Sequence, residues 1–198
     1  MRTRACATPQ MAQRLAPARS QSSSVAAGCD AVCFSGDKLL GGPQCDIIVG
    51  RAAVIQKLAR HPLLRALRAD KLCLAALSAT LLHYLRDEAL SQIPVWRMIS
   101  MPIAKIETKA QALAAELREG SFDASVIDGQ STVGGGSLPG ETLPTILVAV
   151  RHRSPEAQAA RLRSQGIVAR VQEGQLLLDP RTVGDWCHLT TELWPIFG

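Results

Sequence analysis

Phe34-Ser35-Gly36-Asp37-Lys38-Leu39-Leu40-Gly41-Gly42-Pro43-Gln44 is the run from which the fold and the chemistry of this chain are best read. The segment Asp30 to Phe34 reads as a short buried strand that delivers a lone lysine into a turn. Two glycines and a proline come directly after it. A lysine at the end of a buried strand, hemmed by backbone, is expected to be poorly hydrated. Its ammonium form is then disfavoured, and a neutral amine can condense with a carbonyl as a Schiff base. Ser35, three residues upstream, has a hydroxyl suited to a phosphate, and neighbouring glycines let backbone N–H groups come close to one. Ser-x-x-Lys in this setting points to an enzyme that holds pyridoxal phosphate.

Outward from that run the pattern is α/β. Ile47 to Gly50 reads as a second strand, joined to the first by the Lys38 turn. Arg51 to Arg60 has helical spacing that stops before Pro62. Leu63 to Leu85 is rich enough in leucine to predict one long, well-buried helix or a helix pair. Val95 to about Leu117 predicts helix in two pieces because of Pro94 and Pro102. Beyond Gly120 the period changes: Phe122 to Ile127 and Thr145 to Val150 read as strands, with turn chemistry over Ser131 to Gly140. Ser154-Pro155-Glu156 signals a helix start, and Gly166 its end. Ile167–Val171 and Gln175–Leu178 predict a hairpin turning at Glu173-Gly174. Asp179 is placed to cap a final helix through about Leu193. The C-terminal part reads as a compact α/β sandwich.

Arg65 and Arg68 stand three apart, so a helical segment would project both from one face. Two adjacent guanidinium groups repel unless an anion lies between them, and their fork geometry suits a phosphoryl group. The other candidates read as structural. Gly41, Gly42 and Gln44 shape the turn, and Gly134 to Ser137 is a turn without the lysine spacing of a phosphate-binding loop. His83 is expected to pack on a helix. His61, His152 and His188 share no ligand spacing, and Trp96, Trp186 and Trp194 are too scattered to stack bases.

The 198 residues are 47% hydrophobic and carry a net charge of +5, enough for a real core and compatible with an anionic partner. Arg2, Arg4, Arg14 and Arg19 place much of that excess in the first 28 residues. That stretch contains no acidic residue and reads as disordered or unrelated to the rest of the chain, with an organelle transit peptide as the competing reading. Cys6, Cys29, Cys33, Cys45, Cys73 and Cys187 form no CxxC pair and no cluster with histidine. No metal site is expected, and the cysteines read as the reduced thiols of a cytoplasmic protein. No apolar run is long enough to span a membrane.

Val32 to Gln44, Ile47-Ile48-Val49-Gly50, His61 to Lys71 and Leu74-Ala75-Ala76-Leu77 together resemble bacterial selenocysteine synthases, the L-seryl-tRNA(Sec) selenium transferases. A weaker likeness runs on through Gly134 to Pro139, Ile167 to Val171 and Gly174 to Asp179. The resemblance covers about residues 27–198 and corresponds to the C-terminal part of the family's chain. It implies the end of a fold-type-I pyridoxal-phosphate domain over residues 29–90, followed by a small α/β domain over 91–198. It also implies Lys38 as the cofactor lysine with Asp37 beside it, and Arg65 and Arg68 on the selenium donor. The reaction implied is conversion of seryl-tRNA(Sec) to selenocysteinyl-tRNA(Sec) with selenophosphate, in a cytoplasmic homo-oligomer. The family's ring-nitrogen acid, its stacking ring and most of its phosphate loop lie upstream of the matched part. Activity of this chain by itself is therefore not expected. Two alternatives stand beside this reading: a non-catalytic interaction module, and a pyridoxal-phosphate lyase acting on sugar acids.

Overall fold

The computed structural model describes residues 24–133 and 140–184. Residues 1–23, the Gly134 to Ser137 turn and the expected terminal helix with Trp186, Cys187, His188 and Trp194 lie outside the described residues. The chain divides into two compact units, one reaching to Ser100 and the other beginning at Met101. Both are mixed α/β with small antiparallel sheets.

In the first unit, β1 (Ala31–Ser35) and β2 (Asp46–Gly50) pair antiparallel, with Val32 opposite Val49 and Phe34 opposite Ile47. Their β-branched and aromatic content explains the pairing. Both strands are only half-buried, so the expected buried strand is instead one arm of a two-stranded ribbon. Helix α1 (Ala52–Ala59) comes next, then α2 (Leu63–Leu67) and α3 (Lys71–Leu85). The Leu63–Leu85 stretch is thus a helix pair. It breaks because Arg68 turns extended and the Asp70 carboxylate accepts the Cys73 N–H at 2.7 Å, starting a new helix.

Burial of that pair is not as expected. Neither α2 nor α3 contains a buried residue, and Leu72 and Leu85 are 82% and 81% exposed. Leucines distributed all round α3 leave it without a single apolar face. The short helices α4 (Ala89–Gln92) and α5 (Pro94–Ile99) complete the unit. Residues 91–100, expected with the C-terminal domain, belong here. Ile93, Trp96 and Ile99 are buried in this unit together with Leu40.

The second unit closes a core of its own. Helix α6 (Ile103–Glu119) buries Ile106, Ala110, Leu113, Ala114 and Leu117, one stripe at helical spacing. Strands β3 (Asp123–Thr132), β4 (Thr142–Arg151), β5 (Arg170–Gln172) and β6 (Gln175–Leu178) form one antiparallel sheet in the order β3-β4-β6-β5. The α6 stripe packs with Ile146, Val148 and Val150 of β4 and with Leu176 and Leu178 of β6. Helix α7 (Pro155–Ser164) adds Ala159 and Leu162 to the same core. Leu147, Ala149 and Leu177 are buried in a second cluster. With both faces covered, β4 reads as a continuous apolar run rather than an alternating one.

The β5–β6 hairpin turns at Glu173 and Gly174, both with positive φ, as the sequence predicts. Asp179 caps only a 3-10 turn, Pro180–Thr182, after which Val183 is extended. Its carboxylate also accepts the Ser131 hydroxyl at 2.5 Å and the Thr145 hydroxyl at 3.1 Å. Burial lowers the pKa of the nearby Arg181 guanidinium, and the Asp179 charge partly offsets this.

The contrast between the units predicts a contrast in mutational cost. Leu113→Ala, at a site 1% exposed, should destabilise the second unit by about 2–5 kcal/mol. Leu85→Ala should stay within about 0.5 kcal/mol. Urea denaturation combined with hydrogen exchange in each unit measures both. Equal costs would contradict the assignment of core to one set of leucines and not the other.

Candidate active site

The Lys38 loop, Gly36 to Cys45, is held by one stripe of α3. Cys73, Leu77, Thr80 and Tyr84 recur at helical spacing, and they are among the few α3 residues that are half-buried rather than exposed. Tyr84 donates its hydroxyl to the Leu40 carbonyl at 2.9 Å, with the Leu39 carbonyl at 3.3 Å. Gly42 faces the middle of the stripe: a Cβ there would stand 3.4 Å from Thr80 Oγ1 and 3.6 Å from Leu77 Cδ1. At the far end the Cys73 thiol reaches the Gln44 carbonyl at 3.9 Å. The loop therefore runs antiparallel along the helix, from Tyr84 at one end to Cys73 at the other.

Two glycines in the loop are required by close approach. At Gly36 a Cβ would lie 2.7 Å from Cys45 Sγ and 2.8 Å from the Pro43 carbonyl oxygen. Gly41 has φ +74° and packs its bare backbone on Ile93. Trp96 is 1% exposed, and its indole N–H donates to the Tyr84 hydroxyl at 2.6 Å. Burial pushes the Tyr84 pKa up, against a smaller lowering by the Trp96 hydrogen bond.

Lys38 opens the turn, its carbonyl accepting the Gly41 N–H at 2.9 Å. Its side chain is exposed, as is that of Asp37. This corrects the expectation that the lysine is stripped of water: a two-stranded ribbon backed by one helix does not cover the turn. Ser35 is also placed differently from its expected role, donating to Asp46 Oδ1 at 3.3 Å. The N–H groups of the three loop glycines are likewise engaged: besides Gly41, Gly36 N bonds the Cys45 carbonyl at 2.7 Å and Gly42 N the Gly36 carbonyl at 2.8 Å. The described residues thus fit the aldehyde end of a pyridoxal cofactor, through an accessible amine, and do not form a cradle for its phosphate.

Arg65 lies in α2, and Arg68 stands just beyond its end with extended backbone. The expectation that both project from one helical face is therefore not met, because the helix ends at Leu67. Both side chains are exposed. Asp70, which could have paired with them, caps α3 instead. His83 is half-buried and engages Glu88 at 3.0 Å. Sequence spacing missed the meeting of Cys45 and Cys73, which a strand and two helices separate in the chain.

In the second unit a cleft of about 210 Å³ lies beside Ser131 and Asp179. It is smaller than the ~300 Å³ typical of a ligand site, and two of its polar lining residues, Ser131 and Asp179, bond each other. Among the described residues no helix is long and apolar enough to cross a membrane.

An exposed lysine on a hydrogen-bonded turn between two strands is thus followed by a separate α/β unit. The family model of L-seryl-tRNA selenium transferase matches residues 13–184, and the chain belongs to that family. The match begins within the stretch whose composition sets it apart from the rest. The chain is 48% identical over 164 residues to the L-seryl-tRNA(Sec) selenium transferase of Hyphomonas neptunium, covering 80% of this chain and 35% of that protein. It is also 48% identical over 170 residues to the enzyme of that name from Geobacter sulfurreducens, covering 81% of this chain and 37% of the relative. For the Carboxydothermus hydrogenoformans enzyme the identity is 44% over 165 residues, covering 80% of this chain and 35% of the relative. The chain thus spans little more than a third of the length of these relatives.

Tyr84 is the chain's one tyrosine, so phenolate absorption reads this anchor alone. Its midpoint in the folded protein should lie above the ordinary value of about 10. Because the folded pKa is raised, the folded state holds its proton where the unfolded state has lost it. The contribution to stability is complete below about pH 10 and is lost as pH rises through the folded value. Tyr84→Phe should remove that alkaline dependence and destabilise the unit by about 1–3 kcal/mol, since Trp96 N–H loses its acceptor. A midpoint at or below the ordinary value would contradict the anchor.

Proposed function

We propose that this chain supplies the cofactor lysine and the C-terminal unit of an L-seryl-tRNA(Sec) selenium transferase. In this reading Lys38 is the amine that holds pyridoxal phosphate, and Asp37 is its neighbour on the turn. The observation that carries the proposal is the amine itself: it is exposed on a turn fixed by internal hydrogen bonds and by the α3 stripe, in a chain of this family. Such a turn aims an amine without ordering cost at the moment of reaction.

Pyridoxal phosphate, when bound, supplies the electron sink for removing the α-proton and hydroxyl of a seryl group. Lys38 then has a second role at its Nζ, moving the α-proton once the seryl amine has taken its place. Arg65 and Arg68 serve the anionic selenium donor, selenophosphate. Their exposed guanidinium groups form charge-assisted hydrogen bonds to its oxygens. The water exclusion and phosphate contacts that the described residues do not provide come, in this proposal, from polypeptide equivalent to the unmatched part of the relatives. That polypeptide covers the leucine faces of α2 and α3. A homo-oligomeric, cytoplasmic enzyme is the corresponding assembly.

The test mixes this chain with the segment of the Geobacter sulfurreducens relative that precedes its matched part, plus pyridoxal phosphate, seryl-tRNA(Sec) and selenophosphate. Selenocysteinyl-tRNA(Sec) should form, and borohydride should fix the cofactor on Lys38. Lys38→Ala should abolish both, whereas Arg65→Ala should keep cofactor fixation and weaken use of selenophosphate about tenfold or more. Fixation on a different lysine, or none in the mixture, would refute the assignment.

A further inference from the structure

The loop and α3 also bring together two thiols that the proposed reaction does not use. Cys45 ends the Lys38 loop, and its Sγ lies against Gly36, where a Cβ would be 2.7 Å away. Cys73 sits in the first turn of α3, its N–H held by Asp70 at 2.7 Å and its thiol 3.9 Å from the carbonyl of Gln44, the residue before Cys45. Both cysteines are free and partly accessible. Partial burial raises the Cys45 pKa, and the charge and hydrogen bond of the adjacent Cys73 thiol raise it further. Asp46 and Asp37 add smaller effects in the same direction. Two neighbouring thiols, one on a helix and one on the loop that helix holds, form a site for two-electron chemistry.

We propose that Cys45 and Cys73 are an oxidisable dithiol that a low-molecular-weight disulfide converts to an intrachain bridge between the Lys38 loop and α3. The Cys73 thiolate attacks one sulfur of the reagent and expels one thiolate, leaving a mixed disulfide. The Cys45 thiolate then attacks the Cys73 sulfur and expels the second thiolate. The two protein thiols give up two electrons and two protons, and the reagent leaves as two free thiols. The bridge ties the loop to the helix at the end opposite Tyr84, so the turn carrying Lys38 lies between two fixed points.

Trypsin separates the relevant cysteines cleanly: Cys45 falls in residues 39–51, Cys73 in 72–86, and both Cys29 and Cys33 in 20–38. The chain is incubated with oxidised glutathione, blocked with iodoacetamide, digested and weighed. Peptides 39–51 and 72–86 should appear joined, and should separate on reduction. The more exposed Cys29 and Cys33 should instead carry glutathione or alkyl groups. Phenylarsine oxide, which needs two neighbouring thiols, should be retained by the reduced chain and lost in both Cys45→Ser and Cys73→Ser. Far-UV circular dichroism checks that the variants keep the fold. Separate glutathione adducts on Cys45 and Cys73, a bridge from either to peptide 20–38, or arsenical retained in both serine variants would each overturn the proposal.

Discussion

The Tyr84 hydroxyl receives the indole proton of Trp96 and gives its own to the Leu40 carbonyl, and the geometry of the Lys38 turn depends on this relay. Trp96 and Ile93 are buried, so the relay is anchored in the small core of the first unit. Gly41, with positive φ, lets the chain lie flat on Ile93 directly after the Leu40 carbonyl has been engaged. Without the hydroxyl the turn would keep its Lys38–Gly41 hydrogen bond and lose its tie to the Tyr84 end of the helix. A half-buried hydroxyl with both a donor and an acceptor partner is costly to remove, because both partners are then left unsatisfied.

Apolar residues are used differently in the two units. In the second they match the period of α6 and the continuous run of β4, and they close a core shared by two helices and a sheet. In the first the leucines of α2 and α3 point outward, while the helix spends its inner stripe on a thiol, a leucine, a hydroxyl and a phenol. A helix apolar all round is characteristic of a buried position. That property, together with relatives more than twice as long as this chain, is why the proposed enzyme includes additional polypeptide around α2 and α3.

Much of this was legible in the sequence wherever one local signal dominates. Pro155 at a helix start, Glu173-Gly174 in a hairpin and the strand Gln175–Leu178 all appear where expected. The break between α2 and α3 was legible too, through the Asp70 cap, but the run of leucines outweighed it and kept Arg68 in a helix that the structure ends at Leu67. The docking face of α3 was hidden for a related reason. Periodicity weights apolar residues, whereas the face that holds the loop is marked by Cys73, Thr80 and Tyr84, whose value lies in the carbonyls and glycines they meet. The closeness of Cys45 and Cys73 depends on how the loop lies along that face, which no spacing encodes.

The exposure of Lys38 separates two tasks that the sequence suggested a single strand would perform together. A reactive lysine needs a fixed direction, and it needs an environment that disfavours its charge. Internal hydrogen bonds across Gly36, Gly41 and Gly42, together with the α3 stripe, provide direction. They also use the N–H groups of those three glycines, so these cannot serve a phosphate, while Ser35 is turned toward a carboxylate that would repel one. Low dielectric and anion binding must therefore come from groups brought up to the turn. In the proposed enzyme the amine is held ready by this chain, and its reactivity is completed by the surface that closes over it.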